Sequence, residues 1–240
     1  MVNFSRGALL LALGIALAGW WVGQGFEKGR AADRYVTVKG ISEREVKADV
    51  AVWVLRFVAS DNDLARAQTK IASSQKAILE FLAKYGIPTG ATEIQGLEVN
   101  DLLANPYRSG PIESRYIINQ GILARSDHPE AIQVLSQKVG ELVEGGVVLT
   151  AGGGPAPGPT YLFTRLNDLK PEMIAEATAN ARAAALQFAK DSKSRLGGIR
   201  QANQGVFVIL PRDQSPGTME ELQLNKTVRV VTTVEYYLKD

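Results

Sequence analysis

The segment KTVRVVTTVEYYL, residues 226–238, decides the fold class. Val228, Val230, Val234, Tyr236 and Leu238 alternate with Thr227, Arg229, Thr233 and Glu235. Period-two alternation gives a strand one apolar and one wet face, as antiparallel sheets have and fully buried parallel sheets do not. Upstream, Val46 to Ala59 reads as a longer strand. Val50, Val52 and Val54 lie on one face and Ala51, Trp53, Leu55 and Phe57 on the other, so both faces are expected to be covered. Tyr35 to Lys39 is a short β-prone run, and Gly40 to Glu43 reads as the turn between the two.

Three helices punctuate the strands. The first starts near Asp61 or Asp63, either of which can cap it, and carries Leu64, Ala67, Ile71, Ile78, Leu82 and Tyr85 at helical spacing. Gly86 suits the left-handed position that ends a helix, and Pro88 prevents its continuation. The second begins at His128-Pro129, buries Ile132, Leu135, Val139 and Leu142, and ends at Gly145-Gly146. The third runs from Pro171 to Leu196, with Ile174, Ala177, Ala181, Ala184 and Phe188 along one face and Gly197-Gly198 as its stop. Strands are expected over Thr92 to Asp101, Ser114 to Arg125, Val147 to Thr150, Thr160 to Leu166 and Gly205 to Leu210. The order ββ-α-ββ-α-ββ-α-ββ describes an α+β fold of antiparallel sheets with three helices packed on them.

Ahead of this domain, Ala8 to Phe26 is uncharged and mostly apolar. Its length fits a membrane-spanning helix of about 20 residues better than the roughly 7–15 of a signal peptide's apolar region. Trp20 and Trp21 stand where indoles settle at lipid headgroups, while Gly19, Gly23, Ala8, Ala12 and Ala16 form a small-residue stripe suited to helix pairing. Residues 1–31 are therefore read as a membrane anchor and linker, and residues 32–240 as the working domain. The expected location is a bacterial inner membrane, single-pass, with the large domain in the periplasm. The rival reading is cleavage after Ala31, with Gly29 and Ala31 as the small residues, and release to the periplasm.

Residues 1–26 hold one of the 27 basic side chains and none of the 25 acidic ones, so the rest of the chain is close to neutral. Nucleic acid, whose binding demands a basic surface, is not an expected partner. The absence of cysteine removes disulfides, thiol nucleophiles and thiolate metal sites. The single histidine, His128, reads as a helix start rather than a metal ligand. Gly152-Gly153-Gly154-Pro155 lacks the Gly-Lys-Ser/Thr ending of a phosphate-binding loop and reads as a connection. Asp49 is the chemically suggestive residue, a carboxylate in an otherwise apolar strand. Such a group needs a partner, for which Arg182 is a candidate. Tyr107, Tyr116 and Tyr161 read as packing residues that could also line a groove. No cofactor or metal site is expected.

Several of these motifs, in order, resemble the SIMPL (DUF541) family. Val36-Thr37-Val38-Lys39-Gly40 with Val46, Asp49 and Ala51 is similar to its opening motif, and Leu82 to Pro88 with Gly86 to its first helix exit. Tyr116 stands where its second hairpin carries a tyrosine, and Ala177 to Arg182 is similar to its A-x-x-x-A-R segment. The resemblance spans about residues 35–238. It implies a bacterial envelope protein, with oxidative-stress tolerance and oligomeric assembly as associations, and it supplies no catalytic motif. Gly40, Asp49, Ala51, Gly86, Tyr116 and Arg182 are thus motif residues of unassigned role.

The expected function is binding or homo-oligomeric assembly at the envelope rather than catalysis. Two alternatives stand beside it. A carboxylate-dependent hydrolase would bring Asp49 together with Glu98 or Glu113. A carrier for an apolar ligand would have a cavity lined from both faces of a sheet.

Overall fold

The computed structural model describes residues 3–31, 34–104, 111, 113–151 and 158–239. Among them the chain forms α1 (Asn3–Ala31), β1 (Tyr35–Lys47), β2 (Val50–Asp61), α2 (Leu64–Lys84), β3 (Thr92–Ile94), β4 (Glu98–Asp101) and β5 (Tyr116–Ser126). There follow α3 (Pro129–Gln137), α4 (Gly140–Glu144), β6 (Val148–Leu149), β7 (Thr160–Leu162), α5 (Leu166–Asp191), β8 (Arg195–Gln204), β9 (Val208–Pro211) and β10 (Asn225–Lys239). The fold is mixed α+β, with antiparallel pairing and five α-helices where three and an anchor were expected. One sheet has the order β1-β10-β8 with β9 also on β10; the other has the order β3-β5-β2-β6, with β4 on β5 and β7 on β2.

The chain divides into two compact units, Met1–Glu43 with Leu169–Val208 and Arg229–Asp240, and Arg44–Asp168 with Ile209–Val228. In the first, Val36, Val234 and Tyr236 pack on Ala181 and Ala185 of α5. The α5 stripe is Met173, Ala177, Ala181, Ala185 and Ala189, all buried and four residues apart. Gly40 explains the need for small residues. A Cβ there would lie 1.8 Å from the Ala177 carbonyl oxygen and 2.5 Å from the Ala181 nitrogen. Strand and helix main chains touch, Ser42 donates to Glu176 at 2.7 Å, and Asn180 donates to the Ile41 carbonyl at 2.9 Å. The expected turn at Gly40–Glu43 is therefore replaced by continuous strand, because that glycine admits a helix rather than reversing the chain. The strand break falls instead at Ala48-Asp49.

The end of α5 differs in the same way. Lys193 adopts the left-handed conformation (φ 55) and Ser194 N–H bonds the Ala189 carbonyl at 2.9 Å, so the helix closes before Gly197-Gly198. Those glycines belong to β8, where a Cβ on Gly197 would come within 2.9 Å of the Tyr237 carbonyl oxygen.

The second unit has one core. Trp53, Leu55 and Phe57 of β2 and Ile118 and Ile122 of β5 pack on Ile71, Ile78 and Leu82 of α2 and on Ile132 and Leu135 of α3. Asp63 caps α2 by accepting from the Arg66 N–H at 2.9 Å. Gly86 at φ 87 ends it, with Ile87 N–H on the Leu82 carbonyl at 2.9 Å. The expected second helix is two, broken after Gln137, where Lys138 and Val139 precede a glycine, a weak helix former.

The expected membrane-spanning run does form a helix, but among the described residues no helix is long and apolar enough to cross a membrane. The side chains of Leu9, Leu10 and Phe26, part of the apolar run, lie outside the described ones. So do Gly29 and Ala31 of the alternative cleavage site, as well as Tyr107 and residues 152–157 of the glycine-proline loop.

Candidate functional site

The distinctive feature of the second unit is a break in the edge of its sheet. β6 pairs with β2 as Val58↔Val148 and Phe57↔Leu149, and β7 as Val52↔Thr160, Ala51↔Tyr161 and Val50↔Leu162. Both run antiparallel to β2, so they lie along one line. The paired numbers sum to 206 for β6 and to 212 for β7. Between Thr150 and Thr160 the chain thus holds six residues more than in-register pairing would need. That excess leaves the β2 edge unpaired by described strands between Val52 and Arg56.

A cavity of about 540 Å³ occupies the gap, within the range of small-molecule sites. Val52 and Val54 line it from one face of β2 and Trp53 and Leu55 from the other, with Val139 and Leu149 alongside. Met219 and Leu222, beside and within a 3₁₀ turn (Glu220–Leu222), add apolar surface and are 47% and 39% exposed. Arg56 and Glu221 give it one charge of each sign. The turn is tied down by Lys226, which is fully buried, donates to the Glu220 carbonyl at 2.6 Å and pairs with the Glu220 carboxylate.

A larger groove, about 720 Å³, lies between α2 and the far end of β2 and is lined by the hydroxyls of Ser60, Thr69, Ser73 and Ser74. Its two cations are already engaged. Arg66 and Lys70 hold Asp61 at 3.0 and 2.8 Å, and Lys70 also donates to the Ser60 carbonyl at 3.1 Å. The Lys70 hydrogen bond, then the Asp63 N–H, keep the Asp61 carboxyl well below the usual carboxylate range. Little charge is left in this groove to attract a ligand.

The residues singled out in the sequence are dispersed. Gly40 is the contact with α5, Gly86 the α2 exit, and Ala51 a fully buried β2 residue opposite Ser126 and Tyr161. Asp49 is half-buried and accepts from the Thr164 N–H at 2.8 Å and the Thr164 hydroxyl at 2.9 Å; these donors, rather than Arg182, satisfy it. Tyr116 opposes Asp61 and Asp101, with the Arg115 guanidinium 4.7 Å above its ring. Arg182 is exposed on α5. Glu98 opposes Asn119, itself opposite Val58, nine residues along β2 from Asp49. At about 3.3 Å per residue that separation is roughly 30 Å, and Glu113 lies beyond the far end of β2. The carboxylate pair required for hydrolysis is not assembled from these residues. His128 precedes α3 and is exposed, and no group of three or more potential metal-ligating His, Cys, Asp or Glu side chains occurs among the described residues.

Val54, Val139, Leu149, Met219 and Leu222 carry no sequence motif. The one sequence feature near them is the glycine-proline stretch between two short β-prone segments, which reads only as a connection until both registers are known.

These features define a mixed α+β protein of antiparallel sheets clad by helices, with an apolar notch in one sheet edge. The chain belongs to the SIMPL family, described as "Protein of unknown function (DUF541)", which matches residues 36–236. No curated protein matches it.

Proposed function

We propose that this protein is a membrane-tethered envelope domain that works by binding, with the notch beside Trp53 as the site for an apolar ligand. The observation that carries the reading is the 540 Å³ cavity lined from both faces of β2. An apolar concavity with a few polar groups at its margin is the usual form of a small-ligand site. The tether is α1. Its 29 residues extend about 43 Å at 1.5 Å each, and Leu11, Leu13, Ile15, Trp20, Trp21 and Val22 are exposed around it. Apolar surface of that kind calls for a lipid or protein cover. In this reading the large domain faces the periplasm, and the small-residue stripe of α1 brings copies together.

The test uses a chain beginning at Ala32, free of detergent, and the emission gain of N-phenyl-1-naphthylamine on binding. Saturable binding is expected, weakened at least tenfold by Met219→Trp, which fills the mouth from a position already half exposed. Binding left unchanged by that substitution removes the notch from consideration.

A further inference from the structure

The registers on either side of the notch fix which main-chain groups face it. In an antiparallel strand the N–H and C=O of alternate residues point to the same edge. Arg56 faces the β6 side, since its carbonyl accepts the Thr150 N–H at 2.9 Å. Val52 faces the β7 side, its carbonyl accepting the Thr160 hydroxyl at 3.1 Å. Val54, midway between them, directs its own N–H and C=O into the notch, where no described strand pairs with it. Main-chain groups left open on a sheet edge are a template for an added strand, and half-buried Val54 presents one donor and one acceptor with which no described strand pairs. A partner offering one C=O and one N–H in strand geometry pairs with both.

The walls match such a partner. Side chains of an extended peptide alternate between faces, and the notch offers Val52 and Val54 on one face and Trp53 and Leu55 on the other. A lipid chain would need the apolar walls but not the polar pair at Val54. From Arg56 to Val52 is four residue steps, about 13 Å at 3.3 Å each. β6 closes one end and β7 the other, so about three residues fit in line. Resting on the reading that this cavity binds an apolar ligand, the geometry points to an apolar peptide chain end as that ligand, bridged to Val54 by two main-chain hydrogen bonds.

The experiment uses the full chain in mild detergent and three soluble probes. These are acetyl-Ile-Val-Ile, its ester analogue lacking the central valine N–H, and octanoate. Binding is measured by calorimetry, and hydrogen exchange is followed at the Val54 amide. The expected result is that the peptide binds and slows Val54 exchange at least tenfold. The ester analogue should bind about three- to tenfold more weakly, as loss of one net hydrogen bond implies. Equal affinity for peptide and ester with no protection of Val54 overturns the bridge but leaves an apolar-ligand site standing. Octanoate binding without peptide binding overturns the peptide in favour of a lipid. Failure of all three to bind overturns the proposed function as well.

Discussion

Removing the Glu220 carboxylate should destabilise the second unit far more than removing the charge of Lys226 itself. The Lys226 side chain is 0% exposed and its ammonium has two partners, the carbonyl and the carboxylate of Glu220, whose side chain is 25% exposed. In Glu220→Gln the carbonyl bond at 2.6 Å survives but the charge is left buried without compensation. Breaking a buried pair from one side costs about 3–5 kcal/mol, and the retained carbonyl bond argues for the lower end. For a chain of this size each kcal/mol moves Tm by about 2–4 °C, so a drop of roughly 6–12 °C is expected. Lys226→Met keeps the aliphatic stem and removes the charge, and should cost no more than about 1 kcal/mol.

The assay is urea unfolding followed by Trp53 fluorescence in a Trp20→Phe/Trp21→Phe background, since Trp53 lies in the same unit as the pair. The double variant Glu220→Gln/Lys226→Met should recover most of the loss, because a neutral residue no longer needs the carboxylate. Were Lys226→Met to cost as much as Glu220→Gln, the stabilisation would come from the ammonium's own bonds rather than from relief of a buried charge, and the reasoning would fail.

Gly40→Ala should destabilise the first unit by at least about 1–3 kcal/mol, the usual cost of overpacking, because both colliding atoms are backbone; circular dichroism melting checks it, and a neutral result would mean that α5 shifts freely. Asp61 gives an acid-limb prediction. Its folded pKa is depressed by Lys70, the Asp63 N–H and Arg66, so its contribution is present above the ordinary carboxylate pKa of about 4 and is lost as pH falls below it. Asp61→Asn should therefore lower the urea midpoint at pH 7 and flatten its decline between pH 5 and pH 2, and an unchanged decline would assign the acid sensitivity to other groups.

What the sequence conveys well is periodic burial. β10 alternates as read, with buried side chains at every second position from Lys226 to Tyr236, and α2 begins at its Asp63 cap and ends at Gly86. Glycine misled, because close backbone approach and chain reversal leave the same residue behind. Gly40 and Gly197 suggested a turn and a helix stop, yet each sits inside a strand where a neighbouring main chain leaves no room for Cβ. The buried face of α5 was displaced for a related reason. Sequence favoured the larger Ile174 and Phe188, whereas tight contact with β1 selects the alanines, and Phe188 is 51% exposed. The notch was not legible because a register is a relation between distant segments, and single-strand periodicity does not contain it.

The same register offers a decisive perturbation of the notch. Deleting residues 152–157 removes the six residues by which the two rims differ. Ala151, Gly158, Pro159 and Thr160 would then stand opposite Leu55, Val54, Trp53 and Val52, joining β6 to β7 with the β7 pairing unchanged. Gly158 would supply the N–H and C=O that no described strand offers Val54. Pro159 would fall opposite Trp53, at a position whose main chain points away from β2, where a missing N–H on an edge strand is tolerated. The shortened protein should fold, protect the Val54 amide at least tenfold against exchange without any ligand, and bind none of the apolar probes. Retained stability with an unprotected Val54 would mean that the two rims are not collinear in solution. Protection of Val54 with undiminished binding would place the ligand elsewhere on the molecule. Only a protein that loses its site by completing its own strand satisfies both halves of the argument, because the same edge cannot pair with the chain and with a ligand at once.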